Sequence, residues 1–577
     1  MSFRNTLRTR NVKLRIHLLV LALLMALLAS VSGETWTFAQ TTQPAPTYSV
    51  VGLLLDPQGQ PVVEAEVLGY TTDPTQPLAE TLSSEDGSFI LNLSTLPLTE
   101  LHVQIEHPHF YSQELTLGRT VMGDLVQDGV YRLGSLNLER RISASFWAAT
   151  LIFLGVILAI AFERLHSTTA ALAGLSAIFL ITYTLGASNP DWYIFSFERG
   201  LSYINWEVIF LVMGMMIIIA IIEGTGIFQW MAFQSYRLSR GRTWLLVLIL
   251  MAVTALASAL LDNFTTMLLM TPISMQIALA LGINPLALII PEILSSNVGG
   301  ISTLVGTPTN ILIGAYAGIG FTDFLVNQTV GVLLALAAMG GYVLFHYRHE
   351  FRKQSGSISP LLYAKLKDNA RLEDPRALAK SGFVFLLVLV GFILGEKVHL
   401  VPAVPALIGA TALLIWLKPD VHKMIIAVDW TTLVFFMALF IVVGAVQEVG
   451  LIGFAAAGMS RLIGENLYLG VFVIIFGVGT LSTAIANIPL AASMLPIVKF
   501  LTASIPGAGS QVLFYALSMG AAMGGNGLLI GGEANLVTAG ITAQTDTPIK
   551  FKDFLKIGLP VTYLTLAVGF LWLLIRF

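Results

Sequence analysis

Ten stretches of this chain are apolar for long enough to cross a membrane, and that feature decides most of what it can fold into. They lie at 145–162, 168–186, 206–222, 243–261, 325–345, 381–395, 403–417, 431–447, 467–485 and 557–576. A hydrocarbon layer of ~30 Å takes about 20 residues of helix. Inside lipid every backbone N–H and C=O must find its partner within the chain, so such stretches become helices. Of the 577 residues, 55% are hydrophobic and only 11% charged, against about 25% charged in a soluble domain. That excludes a soluble enzyme, a disordered chain and a nucleic-acid binder. Cysteine is absent, which rules out disulfides, thiolate nucleophiles and Cys-ligated metals.

The few charges divide the chain. Residues 1–15 carry Arg4, Arg8, Arg10, Lys13 and Arg15 with no acid, and an apolar run follows from Ile16 to Val31. Residues 1–39 therefore read as a signal peptide or signal anchor. Residues 47–138 are polar and rich in turns, with strand-like runs at Tyr48–Leu55, Ala65–Tyr70, Phe89–Leu93 and Leu101–Ile105. Asp56-Pro57 and Asp86-Gly87 are turn signals. A small extracytoplasmic β-sandwich is expected there, acting as a binding module for an outside ligand or partner, or as a spacer. The basic stretch 346–380 should be a cytoplasmic linker, because Lys and Arg gather on that side. It separates a first membrane repeat, 143–345, from a second, 381–577. Arg237, Arg240 and Arg242, then Lys418 and Lys423, fall inside by the same count, and residues 40–142 fall outside.

The repeat can be read residue by residue. Asn205-Trp206 matches Asp429-Trp430, Asn263 matches Asn487, and Pro272 matches Pro496, each 224 residues apart. Gly299-Gly300, Gly306 and Asn310 match Gly524-Gly525, Gly531 and Asn535, each 225 apart. The first copy starts outside and the second inside, so the two are inverted. Inverted repeats with helices broken at matching places are the pattern of secondary transporters.

The broken regions, 262–320 and 486–548, carry the chemistry. Non-helical backbone at membrane depth survives only within protein or beside a wet cavity. The candidate ion- or substrate-binding residues are Asp262, Asn263, Thr265 and Thr266, then Asn297, Gly299, Gly300, Ser302, Thr303, Gly306, Thr307, Pro308 and Asn310. In the second copy they are Asn487 and Pro489, then Gly524, Gly525, Asn526, Gly531, Glu533 and Asn535. Side-chain oxygens can replace an ion's hydration shell, and helices that restart after a break can hold an anion at their N-termini. Acids inside a membrane are functional candidates, which selects Asp262, Glu292 and Glu533 for proton or Na⁺ coupling. Glu223 and Glu448, at the ends of matching spans, read as structural. Asp429 and Glu207 read as solvated carboxylates near the interfaces. The histidines show no metal spacing, and no cofactor beyond a coupling Na⁺ or H⁺ is expected.

The stretches LDNFTTMLLMTPI (261–273), NVGGISTLVGTPTNILI (297–313) and GGNGLLIGGEANLVTAGI (524–541) resemble the ion transporter superfamily. The branch is that of ArsB arsenite permeases, NhaD-type Na⁺/H⁺ antiporters and P proteins, the CitMHS-type permeases. The sandwich, through GLLLDPQGQPVVEAEV (52–67) and Glu85–Phe89, resembles carboxypeptidase regulatory-like domains. The membrane resemblance implies an all-α polytopic fold with re-entrant hairpins tipped near Asn263 and Asn487. It implies unwound helices at Gly306–Asn310 and Gly531–Asn535, a homodimer and an elevator-like motion. The sequence departs from the NhaD and P-protein pattern at Thr307, where those relatives carry an Asp. The hairpin tips also lack the Ser-Asn-Thr of dicarboxylate carriers.

The function expected is secondary active transport of a small anion or oxyacid coupled to Na⁺ or H⁺. Na⁺/H⁺ antiport and an anion channel on the same fold are the alternatives. No P-loop is present to use ATP, and no His-Glu-x-x-His or Gly-x-Gly-Asp pair is present for an intramembrane enzyme.

Overall fold

The computed structural model describes residues 48–577, apart from 58, 96–99, 163, 353–362, 365, 366 and 369. The expected signal segment and part of the linker at 346–380 lie outside the described residues. The chain forms two compact units, one of residues up to His107 with Tyr111–Glu139, the other of Pro108–Phe110 with Arg140–Phe577.

The first unit is built of β1 (Tyr48–Leu55), β2 (Glu66–Tyr70), β3 (Ala79–Leu82), β4 (Ser88–Leu93), β5 (Leu101–Glu106), β6 (Gln113–Leu117) and β7 (Val130–Asn137). They make two sheets, ordered β4-β1-β7 and β3-β2-β5-β6. Alternation along the strands turns Val50, Leu54, Val67, Leu91, Leu93, Leu101, Val103 and Ile105 inward, all essentially buried. Each such side chain contributes roughly 1.5–3 kcal/mol by leaving water. The strand runs read from the sequence are present. The helix α1 (Arg119–Asp128) is an element that the sequence reading did not foresee, as is the parallel pairing of β1 with β7.

The second unit is helical. In the first repeat the helices are α2 (Ala144–Ala161), α3 (Ser167–Ser188), α4 (Trp206–Glu223), α5 (Thr243–Leu260), α6 (Asn263–Leu281), α7 (Leu286–Gly299), α8 (Pro308–Ala317) and α9 (Phe321–His346). In the second they are α10 (Pro375–Gly395), α11 (Ala403–Leu417), α12 (Trp430–Glu448), α13 (Leu467–Ser482), α14 (Asn487–Ser504), α15 (Val512–Gly524), α16 (Glu533–Ala543) and α17 (Phe551–Arg576). Among the described residues ten helices are long and apolar enough to cross a membrane. Two of the ten expected spans differ. Residues 403–417 form a helix of 15 residues, and 467–482 a helix with a π-helical turn at Val473–Val478. In their place α6 and α14, expected to be broken, are continuous helices of 19 and 18 residues. Pro272 and Pro496 sit inside these two helices without ending them.

The repeat holds element by element. Connecting helices Ile227–Ser239 and Leu451–Ile463 are mates at the offset of 224, and each opens on a glycine with positive φ, Gly226 at 79° and Gly450 at 91°. Only glycine takes that conformation without strain. Glu448 behaves as a structural residue. It pairs with Arg199 at 3.4 Å, accepts a hydrogen bond from the Tyr203 hydroxyl, and its carbonyl accepts from Arg140 at 2.9 Å.

The same unit buries a histidine that the sequence reading passed over. His109 is 1% exposed, its Nε2 lies 2.7 Å from the Ile194 carbonyl, and its Nδ1 lies 3.4 Å from Ser145 Oγ. Burial pushes the imidazole's pKa below 6.5. The Ile194 carbonyl and Glu448 pull the other way, and Arg140 and Arg141 add to the burial. The folded state thus holds a proton less readily than the unfolded one. Stability from this group is complete above about pH 6.5 and falls as the pH drops below it. Thermal unfolding between pH 7.5 and 5 should decline more steeply for the native chain than for His109→Gln; equal slopes would refute the assignment.

Candidate functional site

The two helix breaks are closed by the same chemistry. In the first, Asn310 Nδ2 donates to the carbonyls of Gly300 (3.3 Å), Ile301 (3.1 Å) and Thr303 (2.8 Å). In the second, Asn535 Nδ2 donates to Gly525 (2.8 Å) and Leu528 (3.0 Å). Gly300 and Gly525 are repeat mates, as are Thr303 and Leu528. Each asparagine thus satisfies carbonyls freed where the helix unwinds, groups that could not be left bare in the membrane. A Cβ on Gly531 would stand 2.8 Å from the Gly525 carbonyl and 2.9 Å from that of Thr483. Gly306 is hemmed in likewise by the carbonyls of Gly300 and Ser258, so both loops admit only glycine. Ser258 and Ser482, also mates, donate to Ser296 O (2.8 Å) and Ala521 O (2.7 Å) and fix each break to the helix before its tip.

The unwinding lies earlier than the sequence reading placed it. The irregular backbone runs from Thr303 to Thr307 and, around a 3-10 turn at Leu529–Gly531, from Gly525 to Gly532, while Pro308–Asn310 and Glu533–Asn535 already belong to the first turns of α8 and α16. Thr307 is the N-cap of α8, its Oγ1 accepting from Asn310 N at 3.1 Å. Thr303 Oγ1 accepts from Gly306 N at 3.1 Å and donates to Ala259 O. The Ser302 carbonyl accepts from Thr329 at 3.4 Å. Gly299 and Gly524 are close-approach points, where a Cβ would meet backbone atoms of Ala255 and Gly479.

One buried asparagine ties the halves together. Asn297 accepts from Asn263 Nδ2 at 3.1 Å, and its own Nδ2 donates to Asn526 Oδ1 (2.8 Å) and Asn535 Oδ1 (3.0 Å). Asn263 Oδ1 accepts from Ser258 at 2.6 Å, Asn526 Nδ2 reaches Leu294 O at 3.2 Å, and Ser518 Oγ donates to Asn310 Oδ1 at 2.6 Å. The amides of Asn263, Asn297, Asn310, Asn526 and Asn535 are therefore spent on one another and on backbone. They position the breaks. Ser258, Ser296, Ser518 and Gln328 belong to this network and were not picked out from the sequence, because isolated serines in apolar runs carry no spacing signal. The tips are unequal: Asn263 is locked in this network, whereas the side chain of Asn487 makes no hydrogen bond among the described residues and is partly exposed.

A cavity of about 980 Å³ faces the site. Its lining includes Phe264 of the first tip, Ala486 and Pro489 of the second, Ile530 and Glu533 of the second break, and Asp429–Thr432 at the start of α12. Asp429 and Glu533 line it; among the described residues no Lys or Arg does, and His166 is the one able to become a cation. Glu533 lies within electrostatic reach of Asp262 and Asp429. Each of these acids sits at a helix N-terminus, where the positive end of the dipole favours it. Asp262 caps α6 through Thr265 N at 2.7 Å. Asp429 caps α12 through Thr431 N (3.1 Å) and Thr432 N (3.2 Å). Glu533 opens α16. Asp429, read from the sequence as a solvated carboxylate near an interface, is the N-cap of α12, and its place on the cavity adds it to the candidate residues.

Thr266 is buried, and its Oγ1 has no hydrogen-bond partner. Glu292, on α7, is wholly buried against α6; Ser274 Oγ donates to its Oε2 at 2.9 Å, and Oε1 has no partner among the described residues. It does not line the 980 Å³ cavity. Among the described residues no cluster of His, Asp or Glu could hold a metal ion.

A family model described as citrate transporter matches residues 157–520. The chain is 36% identical over 431 residues to a 46 kDa membrane protein of Mycobacterium leprae, covering 74% of this chain and 98% of that one. It is 32% identical to an uncharacterized transporter of Synechocystis, covering 73% and 95%. It is also 32% identical to the P protein of Homo sapiens, covering 74% of this chain and 59% of the relative. Among solved structures, the YdaH transporter of Alcanivorax borkumensis aligns with a TM-score of 0.47 and 14% identity, over 74% of this chain and 97% of that one.

Proposed function

The chain belongs to the citrate transporter family, and from that premise we propose that it is a secondary active transporter moving a small anion or oxyacid together with a coupling cation, H⁺ or Na⁺, taken up by Asp262 and Glu533. The observation that carries this reading is the charge of the cavity. Asp429 and Glu533 line it, among the described residues no Lys or Arg does, and the helix N-termini at Asp262, Asp429 and Glu533 already carry the chain's own acids. An anion entering alone would meet like charge in a medium of low dielectric, where repulsion is strong. A cation must bind first or with it. That order makes transport obligatorily coupled. Glu292, with one oxygen unpartnered, would hold a proton apart from the cavity. A homodimer and an elevator-like movement of the site-bearing helices complete the proposal.

The same absence of basic residues favours a second reading, Na⁺/H⁺ antiport without an anion. Flux into proteoliposomes separates them. Arsenite, a dicarboxylate or chloride should accumulate only when a Na⁺ or H⁺ gradient is imposed. Na⁺ uptake driven by a pH gradient with no anion dependence would establish antiport instead. Anion flux indifferent to both gradients and following the reversal potential would mean a channel.

A further inference from the structure

Away from the 980 Å³ cavity, the last residues of the linker lie against the first hairpin and border a separate space of about 870 Å³. The linker is held there at several points. Tyr363 packs on Phe233 and Tyr236 of the connecting helix Ile227–Ser239, with ring centroids 5.6 and 6.5 Å apart. Ala370 is buried against Phe233. Glu373 N donates to Thr225 O at 3.0 Å, and Asp374 caps α10. This wall is fixed before any ligand arrives, which lowers the cost of binding.

The walls differ in kind. Leu268, Leu269 and Ile273 of the membrane-spanning α6 supply an apolar side, and Asp368, Arg371 and Glu373 of the linker a charged one. Among the described residues Arg371 pairs with neither acid, so both signs of charge remain open to a ligand. Gln229 also lines the space, and its Oε1 is a buried acceptor with no partner among the described residues. A buried acceptor is costly until a donor reaches it. This polarity does not come with the shared fold of the repeats. At the offset of 224, Gln229 and Gln276 of this wall answer to Gly453 and Phe500, so the copy that the linker covers is the one that carries the amides.

We propose that this space binds one zwitterionic phospholipid with a primary amine, drawn from the leaflet on the side of the basic linker, the cytoplasmic one. An apolar wall from a span beside a charged wall from the linker matches the polarity of a lipid at the membrane boundary. Arg371 meets the phosphate, which a guanidinium binds through parallel N–H bonds. The ammonium group has Asp368 and Glu373 for its charge and Gln229 Oε1 for one of its N–H bonds. Acyl chains run along Leu268, Leu269 and Ile273. A choline head carries the same charges but no N–H, and leaves Gln229 unpaired. An anionic head without an amine meets two acids for one arginine. A lipid seated here bridges the linker and α6, the helix capped by Asp262.

The full chain, purified and freed of lipid by detergent exchange, is titrated with phosphatidylethanolamine, phosphatidylcholine and phosphatidylglycerol of matched chains, and retained lipid is read by native mass spectrometry. One phosphatidylethanolamine per chain should be held about tenfold more tightly than either of the others, and Arg371→Ala and Gln229→Leu should each remove about that factor, the worth of one hydrogen bond to a charged group. Arg371 is exposed, so its replacement leaves the fold intact. A second measurement needs neither variant. The chain has no cysteine, and Ile273→Cys introduces a single thiol whose labelling by a membrane-permeant maleimide phosphatidylethanolamine should slow about tenfold. Glycerophosphoethanolamine, the same head without chains, should not compete; full competition by it would assign the space to a soluble zwitterion and overturn the lipid. Equal retention of the three lipids, retention unchanged in both variants, or unprotected labelling at position 273 would overturn the proposal as well.

Discussion

Asn297→Ala is expected to abolish transport and to lower the stability of the membrane unit by several kcal/mol. The substitution removes one small amide but strands three partners at once: Asn263 Nδ2, Asn526 Oδ1 and Asn535 Oδ1. All three residues are buried, and each group left unpaired costs roughly 1–3 kcal/mol. Asn535 would then lose the anchor of the side chain that closes the second break. Asn297→Asp sharpens the test. It keeps the shape and still accepts from Asn263, yet turns carboxylate oxygens toward two acceptors, so it should be at least as damaging. A hydrophobic packing role would instead make the aspartate variant worse only through its charge and leave Asn297→Gln or →Ser equally impaired. Thermal unfolding of purified protein, followed by tryptophan fluorescence beside flux in proteoliposomes, reads both effects. Full flux in Asn297→Ala would remove the residue from the site's architecture.

The contrast with the second hairpin tip shows what a sequence can and cannot carry. Asn263 and Asn487 are equivalent by position, and the offset of 224 was visible because glycine, proline and asparagine stand out against apolar runs. The breaks were found near Gly306 and Gly531 for the same reason, though placed a few residues late; the structure adds that these glycines leave no room for a side chain. Their partners were not legible. Asn263 is held by Ser258 and Asn297, whereas Asn487 has no such bond, and nothing in the local sequence separates the two. The hydrogen bonds that decide it span 34 residues to Asn297 and, from there, 229 to Asn526. Long-range pairing of this kind depends on how the halves cross. The same holds for His109, whose acceptor Ile194 is 85 residues away. Extents of helices were misread where 262–320 and 486–548 were taken as broken throughout: α6 and α14 run unbroken, with Pro272 and Pro496 mid-helix, as membrane helices tolerate where neighbours can satisfy the freed carbonyls.

Glu533→Gln and Asp262→Asn are expected to fold normally and to lose gradient-driven accumulation almost completely. Both replace a carboxylate by an amide of the same shape. Asparagine caps helices as well as aspartate does, so Asp262→Asn keeps its bond from Thr265 N, and α6 starts where it did. Asp262→Ala lacks that acceptor and should lose about 1 kcal/mol of stability besides its charge. Equal transport loss in the asparagine and alanine variants, with a stability loss in the alanine variant alone, assigns the transport defect to the charge and not to the cap. The two amide variants should differ from the native chain in one further respect. With fewer carboxylates on the cavity wall (Glu533) and beside it (Asp262, within electrostatic reach of Glu533), an anion is repelled less, so downhill anion exchange should persist or rise while its dependence on Na⁺ and pH disappears. Accumulation that survives in both variants, with its ion dependence intact, would place the coupling site away from this cavity. Glu292, on α7 and buried against α6 with one oxygen unpartnered among the described residues, would then be the acid to test next.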